Sequence, residues 1–493
     1  MRKFTSTQAE SSKTPFLGVS SIEDVWLDPN CRDEVTKILR GLQEIYRNKA
    51  LLSRIEIILN SLFDDKSKDK GRQGMDLWVV FILGMLRVGC NWDFDRLKNC
   101  YDKHRKVREI AGVDLFCDAE MVTGRQTIHD NVSLLTPNVL SELNKSIVDF
   151  GHEHLFPSTK DLDTRCDSFV FLTNVHFPTD FNLLLDCLRK IINICALLAK
   201  DHKLSAWREH KSLWDKVRRC YNTLSKMRNS NSQKEQVKEK RRQEILTQVC
   251  HYNTRAVLIV DKGLKFKKLL SDDHPDLNYY LENAQILINQ IQRRVIQEEK
   301  IPQEEKIYSV FEPHTEWICK GKAGVRQELG VRVAIVEDQH GFILNHRVMK
   351  KEQDSEVAFV LAADSKALFP QMNSISFDKG FHSKKDKDGN NKRTNIENQL
   401  GIQAYLPVKG RRNKKDLERE TSEEFKTARK QHPAVESAIN ALESHGLDRC
   451  PDKGEEHFDR YVSMAIVSSN VHRIGAIIMA RELEIERKKR KTA

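Results

Sequence analysis

The chain has 493 residues, 39% of them hydrophobic and 31% charged. That balance fits a soluble protein of roughly two to four domains and excludes a chain that is mainly disordered or membrane-embedded. With 82 Lys and Arg against 71 Asp and Glu, the net charge is +11 and the pI about 9.0, which favours a polyanionic partner.

Residues 1 to about 20 are polar, rich in Ser and Thr, and lack the apolar core of a signal peptide, so disorder and a cytoplasmic location are expected. From Asp33 to about Leu155 the apolar residues keep helical spacing, as at Leu51, Leu52, Ile55, Ile58 and Leu59. The longest apolar run, residues 77–86, falls short of the roughly 20 residues a spanning helix needs, which predicts a buried core helix and no membrane partner. Thr123 to Asn131 reads as a short helix whose Arg125 and Gln126 could address base edges, as the recognition helix of a helix-turn-helix does. Eleven cysteines without a Cys-x-x-Cys pair match no zinc pattern.

At Pro157 the character changes. A strand is predicted from Asp167 to Val175, followed by a turn and more than a hundred helical residues, Phe181 to about Ile301. Strand character returns at Ile307–Phe311, at Val331–Val336 and, after a hairpin turn, at Phe342–Val348. A helix over about 355–368, a strand ending at Asp378, a strand at Gln403–Pro407 and further helices follow. Thr421 to Glu424 reads as a capping box, Pro433 as a helix start and Gly446 as its end. Without the helical block, the order is strand, hairpin, helix, strand, helix, strand, helix. That is the order of an RNase H-like α/β core, here with a large helical insertion and an all-α N-terminal domain. The expected divisions are 1–158 (helical, DNA-binding), 159–180 with 302–473 (catalytic), 181–301 (insertion) and 474–493 (basic C-terminal helix or tail).

Three carboxylates lie where such a core would use them: Asp167 on the first strand, Asp378 at a strand end and Glu436 on a helix. Asp161, Asp163 and Asp180 compete with Asp167, which is preferred because it opens the apolar run. Two or three carboxylates on rigid elements suffice for magnesium, and two ions a few ångströms apart can activate and release the oxygens of a phosphodiester. Glu436, Asn440 and Glu443 share one helix face by their spacing. From Phe381 to Glu420 there are eleven Lys or Arg against six Asp or Glu, densest at Lys409, Arg411, Arg412, Lys414 and Lys415. With Lys320, Lys322, Lys379, Arg125, Gln126 and Asn440, these are candidate DNA contacts.

Residues 167–180 (DSFVFLTNVHFPTD), 377–381 (FDKGF) and 432–450 (HPAVESAINALESHGLDRC) resemble the three acidic motifs of the DDE transposases of bacterial insertion sequences, and residues 311–324 and 71–88 also look familial. The resemblance implies Asp167, Asp378 and Glu436 as the metal-binding triad and two Mg2+ ions, for which Mn2+ may substitute. It further implies double-stranded DNA partners (terminal inverted repeats and target), a homodimer in the active complex, and a bacterial nucleoid-associated location. Many relatives carry Arg four residues before the catalytic Glu and Lys seven after it; here those positions are His432 and Glu443.

Overall fold

A computed structural model describes residue 4 and residues 21–63, 74–112, 123–228, 235–270, 272–319, 327–383 and 391–492. The protein is mixed α/β with six strands in a mixed sheet, and it divides into two compact units, residues 1–174 with 330–493 and residues 175–329.

Unit 1 opens with α1 (Glu34–Arg47), α2 (Lys49–Asn60) and α3 (Leu77–Gly89). Asp33, Asn48 and Asp76 each accept a hydrogen bond from a first-turn N–H, satisfying donors that have no partner inside the helix. The apolar run predicted as a core helix is α3, every residue of which is buried. Next come α4 (Phe94–Lys103), α5 (Arg105–Ile110), α6 (Arg125–Val132), α7 (Pro137–Phe150) and the strand β1 (Leu162–Leu172).

Unit 2 carries the predicted helical block as α8 (Asp180–Asp201), α9 (His210–Arg228), α10 (Glu235–Lys267) and α11 (Pro275–Ile291), then the short strand β2 (Glu316–Cys319). Leu184, Leu188, Ile191, Val249, Ala256, Leu281 and Leu287 form its core. Ile307–Phe311 is not a strand; Val310 is buried in that helical core and Ile307 and Phe311 pack against it, so the apolar run serves packing between helices and not a ladder.

The chain re-enters unit 1 along β3 (Gln327–Asp338), which turns into β4 (Ile343–Met349), followed by α12 (Asp354–Leu368), β5 (Met372–Phe377), α13 (Lys392–Leu400) and β6 (Gln403–Tyr405). The strands of unit 1 lie in the order β4–β3–β1–β5–β6. The β1–β3 and β3–β4 pairs are antiparallel, and β1–β5 and β5–β6 are parallel. Leu172 stands opposite Gly330, so the chain leaves the sheet and returns to it on neighbouring strands. A Cβ on Gly330 would sit 2.2 Å from the Phe171 carbonyl oxygen, which reserves that position for glycine.

β1 begins five residues before its predicted start, and Asp167 therefore lies mid-strand. Its polar first half is buried by hydrogen bonds: Thr164 Oγ1 donates to the Ser374 carbonyl, and the Arg165 guanidinium donates to the carbonyls of Gln431 and Asp338. Asp163, which precedes the predicted strand start, is also in the strand and accepts from Ser374 Oγ. One face of the sheet (Cys166, Ala334, Val336, Ile375, Phe377) packs on Val357, Ala358, Leu361 and Ile396 of α12 and α13. The other (Phe169, Phe171, Val333, Ile335) joins the core made by the N-terminal helices and the C-terminal ones.

Those C-terminal helices are α14 (Lys414–Thr421), α15 (Glu423–Gln431), α16 (Pro433–Leu442) and α17 (Glu455–Thr492). The cap of α15 is Ser422, not Thr421, whose hydroxyl bonds back to Leu417 and Glu418 at the end of α14. Pro433 starts α16 as expected, and Gly446 (φ 116°) sits in the turn that ends it. The expected break at residue 473 falls inside α17, which packs along α1. By length and composition α17 could cross a membrane, but 67% of its apolar window is buried inside the protein.

Candidate metal and phosphate site

The parallel pairing of β1 with β5 places the first two carboxylates. Cys166 pairs with Phe377, both facing the α12 side; Asp167 follows on β1 and turns to the opposite face, and Asp378 follows directly after the end of β5. Strand neighbours lie about 5 Å apart. Asp378 keeps an extended backbone just before the turn Lys379–Phe381, with 53% of its side chain exposed.

The third carboxylate comes from α16. Val435, Ile439 and Leu442 are buried in the same core as Phe169 and Ile335, which fixes one side of the helix on the sheet. Burying side chains of this size stabilises by about 1.5–3 kcal/mol each. Glu436 and Asn440 stand exposed on another side of the helix. Two arginines tie the preceding helix down: Arg165 Nη1 donates to the Gln431 carbonyl at 3.2 Å, and Arg429 Nη1 to the Phe377 carbonyl at 2.8 Å. Between them His432 is buried and shares a 3.0 Å hydrogen bond with Ser376 Oγ.

Asp167 feels the charges of the other carboxylates. Burial pushes the Asp167 carboxyl up to about 6; the Ser168 N–H, donating to Oδ1 at 2.8 Å, opposes this, and the charges of Asp378, Glu436 and Asp354 add to the rise. Burial lowers His432 to about 4, with Arg429 and Arg165 adding to the shift and Asp378 opposing it, so this imidazole is neutral at pH 7.

Asp354, at the first turn of α12, was not singled out by the sequence. Its Oδ1 accepts from Ser168 Oγ at 2.8 Å, and its Oδ2 would lie 3.0 Å from a Cβ on Gly380. A glycine two residues after Asp378 thus lets the turn close over Asp354. Asp354 lies on a helix start that reads as an ordinary acidic first turn, and only the tertiary contact reveals it.

All four groups are hard oxygen donors of the kind that suits Mg2+ or Mn2+. A partly buried carboxylate raised first by burial and further by three like charges is one that a divalent cation would relieve, and to that extent the residues fit the metal. Among the described residues no three His, Cys, Asp or Glu side chains already stand in a metal-holding arrangement. The carboxylates share a field without being drawn into a cluster.

The remaining candidates fall elsewhere. Arg125 is held by Asp95 at 3.0 Å and Gln126 donates to Asp130 at 2.7 Å, both on the exposed side of α6. Lys379, Lys409, Arg411, Lys414 and Lys415 are exposed. Arg412 is engaged with Glu420 at 2.9 Å. Lys320 and Lys322 lie outside the described residues. The described cysteines are free, with Cys166, Cys187, Cys195 and Cys450 buried.

Comparison of the chain with models of protein families, with curated proteins and with solved structures gave no match.

Proposed function

We propose that the protein is a transposase with an RNase H-like core, which binds the terminal inverted repeats of its element and catalyses metal-dependent DNA cleavage and strand transfer. The observation that supports this reading is the register of Cys166 with Phe377, the residues just before Asp167 and Asp378, together with the charges of Asp378 and Glu436 that Asp167 feels. The sheet order β4–β3–β1–β5–β6, with helices after β4, β5 and β6, supports the RNase H-like part of the proposal.

Asp167, Asp378 and Glu436 would hold two Mg2+ or Mn2+ ions, which supply activation of the attacking oxygen and stabilisation of the leaving one. The chain's own contribution is rigidity. Asp167 is fixed mid-strand by the Ser168 N–H, Asp378 by the end of β5, and Glu436 by a helix packed on the sheet directly after α15, which Arg165 and Arg429 anchor. The net charge of +11 and the exposed lysines and arginines from 409 to 415 would bind the DNA backbone in an active homodimer.

The test is cleavage of a plasmid carrying the DNA that flanks the gene. Mg2+-dependent cuts at the boundaries of an inverted repeat support the proposal. Binding without cleavage in either Mg2+ or Mn2+ would leave a DNA-binding protein in its place.

A further inference from the structure

We infer that Arg429 is the side chain that grips the phosphodiester presented to Asp167 and Asp378, an inference that rests on the proposed DNA-cleaving activity. A phosphate approaching a group of carboxylates is repelled unless a fixed cation meets it, so the question is which cation at this site has donors to spare. Arg165 has none in reach: it is buried, its two terminal nitrogens donate to the carbonyls of Gln431 and Asp338, and Glu337 lies 3.8 Å away. His432 is buried and committed to Ser376.

Arg429 differs on each count. Its Nη1 donates to the Phe377 carbonyl at 2.8 Å, the last residue of β5 and the one before Asp378, which holds the guanidinium in place. Its Nη2 lies 3.9 Å from Asp378 Oδ1, too far for a hydrogen bond. Its remaining N–H groups make no hydrogen bond among the described residues, and 30% of the side chain reaches solvent. A planar fork fixed at one nitrogen and open at the others is suited to a phosphate oxygen pair, and a lysine at this position would keep the charge but not the fork. Among the exposed cations of residues 409–415, Arg412 is tied to Glu420 rather than to the strand that ends at Asp378, and Lys409, Arg411, Lys414 and Lys415 show no such anchor among the described residues, so these cations suit the flanking backbone.

The experiment compares wild type, Arg429→Gln and Arg429→Lys for binding to two duplexes drawn from the flanking DNA. One is unmodified, and the other carries a single uncharged methylphosphonate at the position the wild type cuts. Wild type should bind the modified duplex about tenfold more weakly, a loss typical of one charge-assisted contact. Arg429→Gln, which can still donate to Phe377, should bind the unmodified duplex about tenfold more weakly and show no further loss on the modified one. Its salt slope should be lower by about one unit, and Arg429→Lys should fall between the two. A merely structural arginine would leave discrimination against the methylphosphonate intact, so a Gln variant that discriminates like wild type overturns the inference alone. If the wild type neither binds nor cuts the flanking DNA, the functional reading falls and this inference with it.

Discussion

The unusual ionisation of Asp167 turns into a stability measurement. Its carboxyl is raised from 3.8 to about 6, chiefly by burial and then by Asp378, Glu436 and Asp354. A carboxyl raised in the folded state adds stability below its unfolded pKa, and that stability is lost as pH rises through the folded value. A shift of about two units corresponds to about 3 kcal/mol. Asp167→Asn is nearly isosteric and carries no charge, so in metal-free buffer it should match wild type near pH 3.5 and become the more stable protein between pH 4 and 6. Above pH 7 the difference should hold at about 3 kcal/mol. His432, lowered to about 4, titrates in the same window with the opposite sign, but it is present in both proteins and cancels in the difference. Urea unfolding at half-unit pH steps reads the curve. Saturating Mg2+ should shrink that difference by up to about 2.7 kcal/mol, since a ligand at a hundred times its Kd stabilises wild type by that much and the variant less. A pH-independent difference would refute the assigned electrostatics, and a difference that Mg2+ leaves undiminished would refute the link to a cation.

Three further outcomes follow from the fold. Gly330→Ala, placing a Cβ 2.2 Å from the Phe171 carbonyl, should destabilise by about 3 kcal/mol or more in urea unfolding. Burial pushes Asp452 up, but the Arg87 hydrogen bond and charge, with Arg460, hold it below its ordinary value; Asp452→Ala strands a guanidinium that is 2% exposed and should cost about 3–5 kcal/mol by the same measurement at pH 7. Because Leu172 and Gly330 are paired, replacing residues 175–329 by a short turn should leave unit 1 cooperatively folded and stabilised by Mg2+, while transposition from a reporter plasmid is lost. Transposition at normal frequency would make unit 2 dispensable.

The parts of this structure that local chemistry decides were legible in the sequence. The run at residues 77–86 is apolar all round, and α3 is buried on every side. Hairpin, helix and the strands after them were read in order because their apolar residues follow their burial, and the acidic residues at 167, 378 and 436 fell on a strand, directly after a strand and on a helix. The failures have one physical cause, which is that distant partners override local pattern. Thr164 and Arg165 look like turn residues but are strand residues satisfied by carbonyls from β5, β3 and α15. Ile307–Phe311 looks like a strand but is held by helices. Asp354 and Arg429 carry no signal because what distinguishes them, contact with Ser168 and the Gly380 turn in one case and with the Phe377 carbonyl in the other, exists only once the chain is folded.

On the proposed function, Asp167, Asp378 and Glu436 act as one metal site on DNA. Single-turnover cleavage of a pre-bound DNA end by wild type, by Asp167→Asn, Asp378→Asn and Glu436→Gln, and by their pairwise combinations tests it most directly. Each single variant should bind the end within about threefold of wild type yet cleave at least about a thousandfold more slowly, and the double variants should be little worse than the singles, as for residues that act as a unit. A single variant that cleaves within about tenfold of wild type would contradict the claim for that residue and the shared site with it.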